Sequence, residues 1–402
     1  MRATLPGIGG SLFPSRYLAD RLLADAGVAD RANGAVTQRR LRHWWRNVAM
    51  TCGPASGIRA LFDVAAMPLA AALGFRATSA DFTARTARAR LESAGAPAPL
   101  ALLVAPWAHR SPSLWRDAVA YARSIDATWC LIVAPPYLQV LDATTWSRRV
   151  VEFTFPDAIE CADSCDRLWT VADATAFAAA GPGESPRIAR LIAQAAQFQD
   201  AVREDLQHGV ARSLDVLERV MPAGRRGTVG DERLAVIYRV LFLLFAESRE
   251  LLPWRHPLYG PAYSISAMCD AACTDPRAVG FWPGLAAISR LLRVGCRTPE
   301  LDVRPFNGHL FARATAPTLE RRQRHHRGAH AVAEDRAIAD TLVELSTRPT
   351  RHGRESITYP DLGVEQLGAV YERVLGHPHR KQSGTFYTPR ALTEFVVRRA
   401  MR

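Results

Sequence analysis

The sequence predicts an α/β domain followed by a mainly helical one, on three observations. Short apolar runs bounded by Pro or Gly cluster between residues 100 and 155. A longer stretch, Leu234 to Leu252, is too apolar for a surface helix and reads as a buried one. Between them Gly181-Pro182-Gly183-Glu184-Ser185-Pro186 forms a breaker-rich linker. The expected domains are therefore residues 1–180, residues 181–375 and a closing segment, residues 376–402.

Arg39-Arg40-Leu41-Arg42-His43-Trp44-Trp45-Arg46 is a basic, aromatic run. It reads as an amphipathic helix that buries both tryptophans, or as a phosphate-contacting surface with aromatic anchors. Leu100 to Val104 reads as a buried strand ended by Pro106. A helix is expected from about Ser113 to Ser124, with Ser111 or Ser113 as its cap. Thr128–Val133 and Tyr137–Leu141 read as strands around Pro135-Pro136, and Arg149–Phe155 as another. In the second domain Ile188 to Val220 has helical spacing, and Pro253-Trp254 should end the apolar helix that starts at Leu234. Glu247 on that helix needs a buried partner, and Arg239 or Arg249 is the expected one. Asn307-Gly308 suits a tight turn with positive φ. In the closing segment Thr388 should cap a helix opened by Pro389 or Arg390.

The 402 residues carry a net charge of +12, which favours a polyanionic partner, nucleic acid first. The cations are fifty arginines and one lysine, Lys381, a skew that mainly reflects base composition of the gene. No run of eighteen apolar residues and no signal-peptide h-region occur, so no membrane span is expected and the cytoplasm is the default location. Seven cysteines fit a reducing compartment. The close pairs Cys161/Cys165 and Cys269/Cys273 are separated by one helical turn, the spacing of buried helical thiols rather than a zinc site. His325, His326 and His330 lie in a basic loop (residues 320–330) with no acid or Cys at a ligating offset, so no metal is expected there.

The end of the chain holds a denser pattern. Leu367-Gly368-Ala369-Val370-Tyr371-Glu372, Arg380-Lys381-Gln382-Ser383-Gly384-Thr385-Phe386-Tyr387-Thr388-Pro389 and Glu394-Phe395-Val396-Val397 follow in order. This pattern resembles the approach to the methyltransferase module of large DNA adenine-N6 methyltransferases. Such proteins include type IIG restriction-modification enzymes and phage-defence methylases of the BREX and DISARM kind. Tyr238-Arg239, Leu244-Phe245-Ala246-Glu247, His256-Pro257, Phe306-Asn307-Gly308, Trp129-Cys130-Leu131-Ile132 and Val151-Glu152-Phe153 extend the resemblance in patches over most of the chain.

The resemblance implies double-stranded DNA as partner and S-adenosylmethionine as cofactor. Carried over by residue, Tyr387, Thr388 and Pro389 would line the methionine end of that cofactor. It also implies that residues 376–402 include the first helix of the methyltransferase module. The glycine loop and (D/N)PP(Y/F) loop of such enzymes do not follow Pro389 before Arg402. The expectation is a chain truncated ahead of its catalytic module, or one served by a companion subunit. Ala134-Pro135-Pro136-Tyr137 imitates the catalytic loop, but Ala134 cannot accept the bond from an exocyclic amine, so a turn between strands is expected.

In some relatives the N-terminal region is a Mg²⁺-dependent nuclease. Asp63, Asp142 and Glu152 are the acids available for that chemistry here, but no ExK or DxK triplet exists. A nuclease-like scaffold without its site is the expectation. The leading function is the scaffold and DNA-contacting part of an adenine-N6 methyltransferase. The alternatives are a Mg²⁺-dependent endonuclease and a non-catalytic DNA-binding or assembly subunit.

Overall fold

The computed structural model describes residues 5–27, 31–111, 113–145, 148–179, 181, 183–221, 229–306, 308–321, 329–350 and 353–362, with isolated positions 368, 392, 396 and 399. The chain divides into two compact units, Met1–Phe198 with Glu394–Arg402, and Gln199–Thr393. The fold is α/β: a seven-stranded mixed sheet accompanied by many helices. No helix among the described residues is long and apolar enough to cross a membrane.

The first unit is built on the sheet. Its strands are β1 (Ile8–Gly10), β2 (Arg76–Phe82), β3 (Ala87–Glu92), β4 (Leu100–Val104), β5 (Trp129–Ala134), β6 (Tyr137–Asp142) and β7 (Val150–Thr154), in the order β1-β7-β6-β5-β4-β3-β2. Among the described residues β4 and β5 form the one parallel pair in this sheet and need a crossover, which helix α6 (Leu114–Ser124) provides. All five residues of β4 are buried, as a central strand covered on both faces requires. β3 alternates buried and half-buried residues, and β2 at the edge is mostly exposed.

The two faces have separate cores. Ala101, Leu103, Cys130, Ile132, Leu141 and Val150 pack with Leu114, Ala118, Val119 and Ala122 of α6. The opposite face, with Leu100, Leu102, Leu131, Val133, Leu138 and Phe153, carries the larger core. To that core belong α1 (Ser15–Asp20), α2 (Leu22–Asp25) and α3 (Arg31–Thr51). With them pack α4 (Ile58–Ala60), which runs through a π turn (Leu61–Ala66) into α5 (Met67–Ala72), then α7 (Phe155–Glu160) and α8 (Ala162–Ala172). Buried Arg167 ties α8 to the first helices: Nε and Nη2 donate to the carbonyls of Leu18 and Ala19, each at 2.5 Å.

The strand expectations for residues 100–104, 128–133, 137–141 and 149–155 coincide with β4 to β7 within about a residue at each end. Pro135-Pro136, joined by a cis peptide bond, is a two-residue turn between paired Ala134 and Tyr137. At α6, Ser113 holds the N-cap position without a side-chain cap, because Ser111 Oγ and Ser113 Oγ bond each other at 2.8 Å.

Helix α9 (Arg187–Val220) opens after the breaker-rich stretch, and the division between the units falls within it. In the second unit α10 (Val229–Ser248) is the central helix, with Val236, Ile237, Val240, Leu241, Leu243 and Ala246 buried. Around it pack α12 (Ile265–Thr274) and α14 (Ala329–Ser346), and α14 in turn packs on α13 (Phe281–Val294). A short α11 (Tyr259–Tyr263) and the hairpins β8 (Cys296–Arg297)/β9 (Asp302–Val303) and β10 (Thr347–Thr350)/β11 (Gly353–Ser356) complete the unit.

α10 stops at Ser248, short of the expected end at Leu252. Glu250 adopts φ +58, and the Leu251 N–H turns back to the Ala246 carbonyl at 2.9 Å, closing the helix before Pro253 is reached. Gly308 has φ −90, so the expected positive φ is not at that residue, and Asn307 lies outside the described residues.

Candidate nucleic-acid interface

Helix α3 sorts its side chains by the 3.6-residue period. Thr37, Leu41, Trp44 and Val48 recur on one side and are buried. Trp44 meets Phe155 edge-on at 4.6 Å and donates its indole N–H to the Ala65 carbonyl at 3.0 Å. Half-buried Trp45 stacks on Trp107 at 6.1 Å and on Phe155 at 5.8 Å. Both indoles are core anchors, and neither forms an outward platform for bases.

The cations of the same run go to the other side. Arg42 is drawn back to Glu160, with its Nη2 at 3.0 Å from Oε2 and 3.1 Å from the backbone carbonyl. Gln38 is likewise tied to the Ile159 carbonyl at 2.8 Å. Arg39, Arg40, His43 and Arg46 are exposed. None of the four has an ion-pair partner among the described residues. Arg39 and Arg46 are seven residues apart on nearly one line, about 10 Å along the axis at 1.5 Å per residue. Exposed Val36 and Met50 flank this row.

A shallow depression lies beside the row. It is lined by Val36, Arg39, Arg40, His43 and Trp44 of α3 and by Ala72 at the end of α5. Val36, Arg40 and His43 follow one another at i, i+4 and i+7, so one helical stripe supplies an apolar and two polar walls. Linear reading identified the basic run but not this depression, because Ala72 carries no chemical signal and its position depends on how α5 packs against α3.

The three acids considered for a nuclease occupy three separate places. Asp63 is exposed on the π turn and pairs with Arg59 at 3.0 Å. Glu152 of β7 is registered with Gln139 of β6, so the two share a sheet face. Gln139 Nε2 donates to one Glu152 oxygen at 2.6 Å, and Arg110 pairs with the other. Arg110 also lies over the Tyr137 ring, 4.1 Å from its centroid. Asp142 stands three residues from Gln139 on β6 and therefore points to the opposite face, about 10 Å along the strand. It accepts from the Thr144 backbone N–H at 3.0 Å and hydroxyl at 2.5 Å and pairs with Arg149 at 3.4 Å. These acids do not converge on a common point where they could hold Mg²⁺.

Glu247 is not paired with Arg239 or Arg249, contrary to expectation. The buried carboxylate accepts from Ser264 Oγ at 2.9 Å, the backbone N–H groups of Ile265 at 2.8 Å and Ser266 at 3.0 Å, and the Tyr259 hydroxyl at 3.4 Å. It thereby caps the start of α12, a substitute for a cation. Burial, and next the Glu247 charge, push the Tyr259 hydroxyl well above its ordinary range, so it stays a donor. Arg239, fully buried, pairs with Glu320 at 3.0 Å and donates to the carbonyls of Leu310 and Ala312, both at 2.9 Å. Arg293 shares Glu320 at 2.7 Å. Arg249 donates to the Leu362 carbonyl at 3.2 Å.

All seven cysteines are free, Cys130, Cys165 and Cys269 buried among them. Among the described residues no group of three or more His, Cys, Asp or Glu side chains is placed to hold a metal ion. His330 lies near Glu334 at 3.9 Å on α14, and His325 and His326 lie outside the described residues. Tyr387, Thr388 and Pro389, the expected cofactor-lining residues, also lie outside them. No known protein family, curated protein or solved structure matches the chain.

Proposed function

We propose that this chain is a non-catalytic scaffold that holds duplex DNA by its backbone, in the service of the adenine-N6 methyltransferase its motifs resemble. The observation that carries the reading is the outer face of α3. Arg39, Arg40 and Arg46 are exposed there without ion-pair partners among the described residues, while the adjacent arginine, Arg42, is neutralised by Glu160. Surface arginines that fold gains nothing from neutralising remain available to phosphates.

Duplex is favoured over single strand because both tryptophans of the run are turned into the core. Single-strand binders present exposed aromatic faces on which unpaired bases stack, whereas Trp44 and Trp45 pack their rings on Phe155. On the same reading the sheet unit is a nuclease-like scaffold without a working site. Its candidate acids are dispersed, and the one lysine of the chain, Lys381, is remote in sequence. S-adenosylmethionine would supply the methyl group, with Tyr387, Thr388 and Pro389 at its methionine end.

The test is equilibrium binding of the chain to labelled duplex and single-stranded DNA of the same random sequence at low salt. The reading predicts binding that favours the duplex. Absence of duplex binding, or a clear preference for the single strand, would overturn it. For the cofactor, deletion of residues 385–389 from a version carrying the methyltransferase module should abolish S-adenosylmethionine binding, and retained binding would remove that part.

A further inference from the structure

The depression between α3 and the end of α5 has a composition that the row of arginines alone does not explain. Val36, Trp44 and Ala72 supply apolar wall, and Arg39, Arg40 and His43 stand around it. A simple inorganic anion gains nothing from the apolar part, and a purely apolar group gains nothing from the cations. A nucleic-acid backbone unit offers both: a phosphate with two anionic oxygens sharing one charge, and a deoxyribose whose carbon-bound edge is apolar. Resting on the reading above, we infer that this depression seats one phosphodiester-sugar unit of the duplex backbone, the sugar against Val36 and Ala72 and the phosphate toward Arg40 and His43.

Several features support a seat rather than a passing contact. Trp44 is buried and fixed by its bond to the Ala65 carbonyl, so the wall it contributes is rigid. Arg40 and His43 have no ion-pair partner among the described residues, so no internal carboxylate competes with the phosphate. Arg46 lies about 9 Å further along the axis than Arg40 at 1.5 Å per residue, beyond the reach of the same phosphate. The seat would therefore fix the register of the backbone on α3, while Arg46 adds a separate charge contact, as phosphate contacts position a protein without reading sequence.

The decisive substitution is uncharged. Ala72→Leu fills the depression and keeps a good helix former at the end of α5. If one phosphate is displaced, the dependence of log affinity on log salt becomes shallower by about 0.9, the contribution of one phosphate, although no charge has been removed. Affinity for a random-sequence duplex should fall several-fold. Ala72→Ser leaves the space open and should bind like the parent chain, and equal thermal midpoints would show that both variants fold. Arg46→Ala should lower the slope by a similar amount with the depression intact.

Parent-like affinity and slope for Ala72→Leu, with Arg46→Ala still weakened, would overturn the seat and leave the duplex-binding reading standing. Failure of the parent chain to bind duplex at low salt would overturn both. Vesicles of phosphatidylglycerol that bind the chain through Ala72-sensitive contacts, and are not displaced by duplex, would assign the depression to a lipid headgroup and overturn the inference.

Discussion

Replacing Glu247 by alanine tests whether the buried acid of the helical unit is structural. Its side chain is buried and accepts four bonds, three of them at 2.8–3.0 Å, from Ser264 Oγ and the N–H groups of Ile265 and Ser266. Hydrogen bonds to a charged acceptor contribute about 1.5–3 kcal/mol each, and some of that is recovered if water reaches the freed groups. Each buried neutral donor left unsatisfied costs about 1–3 kcal/mol, so with partial relaxation the loss should be about 3–5 kcal/mol. That corresponds to a loss on the order of two to four powers of ten in the folded-to-open ratio for α12. Glu247→Gln keeps one acceptor oxygen but turns an NH₂ toward N–H donors, and should lose about 2 kcal/mol. The assay is amide hydrogen exchange of residues 265–274 together with the denaturant midpoint. An alanine variant within 1 kcal/mol of the parent (roughly a fivefold ratio) would refute a structural role for these bonds.

Glu344 gives a pH prediction. Burial alone would raise its pKa, but hydrogen bonds from Arg354 at 3.0 Å and Arg212 at 2.6 Å outweigh burial and hold it below the ordinary value. A carboxylate depressed in the fold stabilises fully above its unfolded pKa, about 4.3, and loses that contribution as pH falls through the lower folded value. Glu344→Gln should therefore melt earlier than the parent at neutral pH, and the gap should close as pH falls below the unfolded value and through the depressed folded one; parallel melting curves at every pH would contradict this. Gly10, at φ +111, would place a Cβ 2.2 Å from the Val150 carbonyl oxygen, so Gly10→Ala should destabilise the sheet unit by about 2 kcal/mol or detach β1. An unchanged denaturant midpoint and an intact β1 amide-exchange pattern would count against it. Burial pushes the Cys165 thiol up to about 12 and raises Cys130 and Cys269 further; it raises Cys273 as well, but Cys273 alone of the four is exposed to the reagent. Maleimide at pH 8 (below the free-thiol range), followed by mass spectrometry, should label Cys273 and spare those three until the chain unfolds.

The sheet was legible because its strands are strongly marked. Leu100 to Val104 is an uninterrupted apolar run, and Pro135-Pro136 leaves little choice but a turn between Trp129–Ala134 and Tyr137–Asp142. The partner of Glu247 was not legible, because half of its donors are backbone N–H groups of a following helix start and the other half are uncharged hydroxyls, which a search for a cation does not find. α10 ended early for a similar reason: Glu250 adopts a left-handed conformation that a sequence read by glycine and proline signals does not flag. The candidate interface was half legible. The basic run stands out in the sequence, but only helical phase and packing decide that Trp44 and Trp45 turn inward while Arg39, Arg40 and Arg46 stay outside. The lining by Ala72 depends wholly on tertiary packing.

The salt dependence of duplex binding tests the central claim most directly, measured for the parent chain and for the triple variant Arg39→Ala, Arg40→Ala, Arg46→Ala. Each phosphate that an arginine no longer neutralises makes the slope shallower by about 0.9, so the triple variant should differ from the parent by about 2.7. Affinity should fall at low salt, by similar factors on unrelated duplex sequences. A variant that binds with the parent's slope and affinity would contradict the assignment of α3 as the surface that holds the DNA backbone.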